Sequence, residues 1–127
     1  MTTEVDWDQL RRAATEAAAN AYAPYSRLQV GAAALTEAGE VITGVNVENV
    51  SFGLTFCAEI SLLGRMITDG SGPIVALAAT DHEGRCLTPC GRCRQVLMEL
   101  AGPALLVNGA TRLETLLPDA FTPDDLP

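Results

Sequence analysis

Several absences narrow the reading of this chain. No apolar run is long enough to span a bilayer and no signal peptide opens the sequence, so a cytoplasmic protein with no membrane partner is expected. Basic residues are scarce: 8 Lys and Arg stand against 16 Asp and Glu, giving a formal net charge of −8, with no basic stripe. That balance argues against a polyanionic partner such as DNA or tRNA and favours a small molecule. There is one histidine, His82, inside the polar turn Asp81-His82-Glu83-Gly84. No repeat or linker divides the 127 residues, 48% of them apolar. One domain over residues 1–127 is expected, with a core of its own and small enough for oligomerisation to help complete it.

What is present centres on cysteine. Disulfides are not expected in such a protein, so its four cysteines are read as ligands or core residues. Cys90 and Cys93, behind Pro89, open the run Arg94-Gln95-Val96-Leu97-Met98-Glu99-Leu100, which has helical periodicity and places both thiols in a first turn. Free N–H groups and the positive dipole end favour thiolate there. Cys57 stands in the same setting ahead of Ile60 to Ile67, and with it the chain offers three sulfurs. Structural zinc sites normally close with a fourth protein ligand, whereas catalytic ones leave that place to water or substrate, so three sulfurs suggest a catalytic Zn²⁺, one per subunit. His82 lies in a polar turn outside this set.

Periodicity and turn residues order the rest of the chain. Asp6 and Gln9 suggest a capping-box-like start to a helix running to about Tyr22, with Leu10, Ala13, Ala14, Ala17 and Ala21 on its apolar face. Leu28 to Leu35 and Glu40 to Val47 read as a hairpin about Glu37-Ala38-Gly39. The Cys57 helix should end near Asp69-Gly70, and Ile74 to Ala79 is an apolar run of buried-strand type. Arg85 to Thr88 make a short extended piece before the Cys90 helix, which Gly102-Pro103 break. A strand over Ala104 to Val107, a short helix over Leu113 to Leu117 and an acidic tail complete the chain. The alternation predicts an α/β fold with a mixed sheet of about five strands and helices on both faces.

Cys57-Ala58-Glu59 with Pro89-Cys90-Gly91-Arg92-Cys93 resembles the signature of the zinc nucleoside deaminases, with Cys in place of the first His. Tyr22-Ala23-Pro24-Tyr25-Ser26, Gly44-Val45-Asn46-Val47-Glu48-Asn49, Cys93-Arg94-Gln95 and Leu116-Leu117-Pro118-Asp119-Ala120-Phe121 narrow the likeness to the small homotetrameric cytidine deaminases. The resemblance implies their three-layer α/β/α sandwich and hydrolytic deamination of cytidine and deoxycytidine in pyrimidine salvage. It implies Cys57, Cys90 and Cys93 as zinc ligands and Glu59 as the proton-transferring carboxylate. Cys86, to which the resemblance gives no ligand role, is read as a semi-buried packing residue. The division between zinc and Glu59 suits the chemistry, because displacing ammonia from C4 needs an activated water and a group that carries its proton onward. Alone, Glu59 would read as a first-turn glutamate complementing the helix dipole. By the same resemblance Asn46 and Glu48 bind the ribose hydroxyls, the Ala58 backbone meets the pyrimidine edge, and Phe121 covers the base of a neighbouring subunit in a homotetramer with shared sites.

Two departures from the commoner pattern stand out. Leu28 replaces an aromatic expected against the base, and Ile60 replaces an arginine that follows the catalytic Glu in many relatives. Three thiolates and one Zn²⁺ sum to about −1, and Arg92 is the nearest full charge in sequence able to balance them by donating to two sulfurs. Ile60-Ser61-Leu62-Leu63-Gly64 also resembles blasticidin S deaminases, whose substrate is a cytosine nucleoside. A third reading is a zinc-binding protein without turnover, in which Cys86 or His82 closes the coordination sphere.

Overall fold

The computed structural model describes residues 4–127. Helix α1 (Trp7–Ala18) starts where the Asp6 carboxylate accepts from the backbone N–H of Gln9 at 3.0 Å. It stops short of the expected Tyr22. Beyond a turn at Ala19 and Asn20, Tyr22 donates to the Asn46 carbonyl at 3.0 Å and accepts from the Glu48 N–H at 2.8 Å, so strand-like pairing displaces the last helical turn. Strands β1 (Val30–Thr36) and β2 (Val41–Val45) form the expected hairpin, and a single 3₁₀ turn, Phe52–Leu54, precedes helix α2 (Ala58–Asp69). Gly70 closes α2 in the left-handed conformation at φ 63°, the geometry that favours glycine. Then come β3 (Ile74–Asp81), α3 (Gly91–Ala101), β4 (Leu106–Val107), β5 (Thr111–Arg112), α4 (Leu113–Leu116) and a 3₁₀ turn at Pro123–Asp125.

The five strands form one mixed sheet in the order β2-β1-β3-β4-β5, parallel only between β3 and β4. Period-two alternation divides its apolar residues between two faces. Ala33, Leu35, Ala76 and Ala78 pack under Leu10 and Ala14 of α1. Ala32, Ala34, Leu77 and Ala79 pack under Ala58, Leu62, Leu63 and Met66 of α2 and Leu97 and Met98 of α3. The result is a three-layer α/β/α sandwich with small side chains in the sheet. Two glycines carry the close approach furthest. A Cβ at Gly31 would lie 2.8 Å from Ala18 N in α1, and a Cβ at Gly44 would lie 2.7 Å from Ala58 O in α2, so neither position has room for one. Gly44 thereby decides how near the first turn of α2 sits to the sheet.

Candidate metal centre and adjoining pocket

Cys57 is the N-cap of α2 and Cys90 the N-cap of α3, with Cys93 in the first turn of α3. Neither N-cap thiol bonds its own helix backbone as a capping side chain would. The three sulfurs instead converge: Cys57 and Cys90 lie 3.7 Å apart, Cys90 and Cys93 3.6 Å, and all three fall within 4.8 Å of one another. A disulfide would bring a pair to about 2.05 Å. Two sulfurs each about 2.3 Å from one tetrahedral zinc would stand about 3.8 Å apart, so the donor set fits that ion. Among the described residues no fourth His, Cys, Asp or Glu joins the group.

The electrostatics of the trio also suit a cation. Burial pushes the Cys57 and Cys93 thiols above the ordinary range, and neighbouring negative groups add to the effect. Burial acts on Cys90 in the same direction but is outweighed by the nearby backbone N–H of Cys93, the Cys93 and Cys57 thiols and the Arg92 N–H taken together, so Cys90 lies lower than usual. Three coexisting thiolates therefore need positive charge between them.

A pocket of about 270 Å³ opens beside the trio, lined by Ser26, Leu28, Val30, Asn46, Glu48, Thr55, Cys57, Ala58, Glu59, Ala79, Leu87, Thr88 and Cys90. Glu59 is only 4% exposed, and burial raises its carboxyl above the usual range although its own backbone N–H opposes the shift. Asn46 is locked at the strand end: its Nδ2 donates to the Leu28 carbonyl and its Oδ1 accepts from the Val30 N–H, both at 2.8 Å. One Asn46 N–H remains for another partner. Glu48 Oε1 accepts from the backbone N–H groups of Tyr25 at 2.9 Å and Ser26 at 3.2 Å, so neither backbone bond falls on its second oxygen. A bond from the Ser26 side chain, against a smaller desolvation cost, holds its carboxyl low, and the backbone bonds add to this. Leu28 is part of the wall and Ala58 is buried at the pocket's base.

Other sequence-predicted residues lie elsewhere. Phe121 stands outside this pocket, 60% exposed, beside a separate cleft of about 400 Å³ under the C-terminal segment, where its carbonyl accepts from Gln95 at 2.8 Å. Arg92 does not reach the sulfurs: its Nη2 donates to the Thr55 carbonyl. The expectation of a guanidinium fork on two thiolates is corrected, because at about 100° per residue Arg92 projects from a different side of the first turn than the cysteine pair. Cys86 is exposed instead of semi-buried, bridged to Thr80 in a short ladder. His82 pairs with Glu83 at 3.7 Å on the surface. Several supports have roles that periodicity and composition do not reveal. Arg94 donates to the Pro89 carbonyl and the Leu116 carbonyl, each at 2.8 Å, tying the segment before Cys90 to α4. Ser26, Thr55, Leu87 and Thr88 enter the wall through loop geometry.

Residues 5–108 match the family profile described as the cytidine and deoxycytidylate deaminase zinc-binding region. The chain is 56% identical over 127 residues to the cytidine deaminase of Mycobacterium tuberculosis strain H37Rv, covering 98% of this chain and 96% of that protein. It is 42% identical over 130 residues to the cytidine deaminase of Halalkalibacterium halodurans, covering 96% and 98% respectively. The crystal structure of the Mycobacterium tuberculosis cytidine deaminase superposes with a TM-score of 0.90 at 55% identity, over 93% of this chain and 98% of that one.

Proposed function

Since the chain belongs to the cytidine and deoxycytidylate deaminase family with its zinc-binding region, we infer that the pocket binds cytidine or deoxycytidine and that Cys57, Cys90 and Cys93 hold the catalytic zinc. The reaction is hydrolytic: water adds at C4 of the cytosine ring, the C4–N bond breaks, and uridine or deoxyuridine leaves with ammonia. The observation that carries the reading is the convergence of three thiols, with no fourth protein ligand among the described residues, beside a buried glutamate in one pocket.

When bound, zinc supplies the Lewis acidity that makes water nucleophilic near neutral pH. Glu59 takes the proton that water loses on attack, delivers it to N3, and carries the second proton to the departing amine. Its raised affinity for a proton suits a group that must both accept and release one. The ionised Glu48, whose Oε2 takes neither backbone bond, accepts from the ribose 3′-hydroxyl, and the spare N–H of Asn46 donates to the sugar. The Ala58 backbone meets the pyrimidine edge, and Leu28 packs on the base with less surface than an aromatic ring offers.

Arg92 serves the site indirectly, holding the Thr55 carbonyl two residues ahead of Cys57. The pocket is completed by a neighbouring subunit of a homotetramer, whose Phe121 covers the base. Two features support this arrangement: Phe121 lies exposed and away from its own chain's pocket, and Val50, Phe52, Leu54 and Phe56, around Thr55 of the pocket wall in sequence, are exposed apolar residues. Deamination of a free nucleoside suits pyrimidine nucleoside salvage, and a cytoplasmic location goes with that reading. An ultraviolet assay of the purified protein against cytidine, deoxycytidine, cytosine, blasticidin S and adenosine tests the reading. Turnover of the first two nucleosides is expected, and turnover of blasticidin S alone would move the assignment to that substrate.

A further inference from the structure

Strand β3 serves two partners along one edge, and they do not meet cleanly. Its first half pairs in parallel with β4 through Ala76 and Leu77. Its second half pairs with the antiparallel segment 85–87: Asp81 N–H donates to Arg85 O at 2.9 Å and Leu87 N–H donates to Ala79 O at 2.9 Å, with Thr80 opposite Cys86. In an unbroken antiparallel ladder the next bond would run from Ala79 N–H to Leu87 O. It does not form. Asn108 stands in its place: Oδ1 accepts from Ala79 N–H at 3.0 Å and Nδ2 donates to Leu87 O at 2.9 Å. Its own N–H continues the β4 pairing by donating to Leu77 O at 2.8 Å. The residue sits at φ 53°, a left-handed conformation that asparagine tolerates better than most side chains.

We propose that Asn108 is a positioning residue for the active site, an amide wedge that parts segment 85–87 from β3 and sets the path of Leu87-Thr88-Pro89-Cys90. The amide has the shape and polarity of a peptide group, with an acceptor on one side and a donor on the other, so it satisfies both halves of the opened bond. Ala79, Leu87 and Thr88 all line the pocket, and Cys90 follows at once as a ligand. The wedge thus adjusts one wall and one thiol together. It leaves alone α2, where Cys57 and Glu59 are placed by other contacts.

This inference rests on the reading of the pocket as the nucleoside site, but its test separates the two. Asn108→Gly keeps the left-handed backbone and removes the amide. The Ala79 N–H should then exchange with solvent far faster, chelator should strip zinc at least several-fold faster, and KM for cytidine should rise about tenfold with kcat changed less, as expected when two partly buried bonds that shape a binding wall are lost. The exchange and chelator readings do not depend on the substrate assignment. Asn108→Asp keeps the left-handed backbone and the acceptor for Ala79 while removing the donor to Leu87. It should leave Ala79 protected yet still raise KM, and it carries the test if the glycine variant does not fold. Wild-type KM and zinc release in whichever variant folds would overturn the proposal.

Discussion

Replacing Gly44 with alanine asks whether the packing of the sheet sets the geometry of the metal centre. The added Cβ would meet the Leu62 backbone nitrogen most closely, with Ala58 O at 2.7 Å and Leu62 Cα at 2.8 Å, against an ordinary lower limit of about 3.4 Å. All three atoms belong to the backbone of α2, so no side chain can swing aside, and the first turns of the helix must withdraw by about 1 Å. Cys57, Ala58 and Glu59 travel with that turn. Metal–ligand distances tolerate about 0.2 Å, and displacing reacting groups by about 1 Å costs on the order of 10²-fold in rate. Overpacking adds about 1–3 kcal/mol of destabilisation, seen as a melting temperature lower by several degrees. Gly44→Ala should therefore lose zinc to chelator faster and lose most of its turnover. Two companion variants isolate the cause. Gly31→Ala collides still more closely with the backbone of α1 on the opposite face and should destabilise at least as much while disturbing the zinc centre less. Gly64→Ala, on the exposed face of α2 with nothing within 4 Å of the new Cβ, should stabilise by about 0.5–1 kcal/mol through helix propensity. A Gly44→Ala protein with wild-type melting temperature, zinc retention and rate would refute the argument that α2 is seated on that glycine.

Three other outcomes are expected. Glu59→Gln should retain zinc and lose nearly all deamination; in the chelated protein it should also melt higher than wild type near neutral pH. Burial raises the folded carboxyl above 4.5, so the native glutamate's contribution is full below that pH and is lost as pH rises through its folded value; the gain on substitution should vanish in acid. Alanine at Cys57, Cys90 or Cys93 should abolish zinc binding and activity, whereas Cys86→Ala should spare both, and metal analysis of the four variants decides between this ligand set and one containing Cys86. Phe121→Ala should raise KM, and dilution to monomers should remove activity; a fully active monomer in sedimentation would show that no neighbour completes the pocket.

Much of the fold was legible because apolar periodicity coincided with chain-breaking residues. Gly70 and Gly102-Pro103 end α2 and α3 where the sequence predicts, and the run from Ile74 is a buried strand. The cysteine trio was legible because each thiol occupies a helix start, a local property that needs no knowledge of the rest of the chain. Nonlocal choices were not. The early end of α1 depends on Tyr22 pairing with residues more than twenty positions away, and β5 is a two-residue strand that exists only because β4 lies beside it. The direction of Arg92 depends on where the Thr55 carbonyl ends up. Asn108 precedes Gly109 and reads as a turn pair, which says nothing of the opened ladder its amide fills.

The two N-cap cysteines bear on how this sequence can change over time. A helix normally opens with Ser, Thr, Asp or Asn, whose oxygen satisfies a free N–H, and a residue that cannot do so forfeits about 1 kcal/mol. Cys57 and Cys90 both decline that role. A library of variants screened for heat resistance alone would be drawn toward oxygen-bearing side chains at positions 57 and 90, since each would cap its helix and relieve a cluster of crowded sulfurs. Such a screen would enrich sturdier proteins with no catalyst in them. What keeps sulfur at these two positions is selection on turnover acting against selection on stability, and the conflict falls at the two residues where the helices meet the metal.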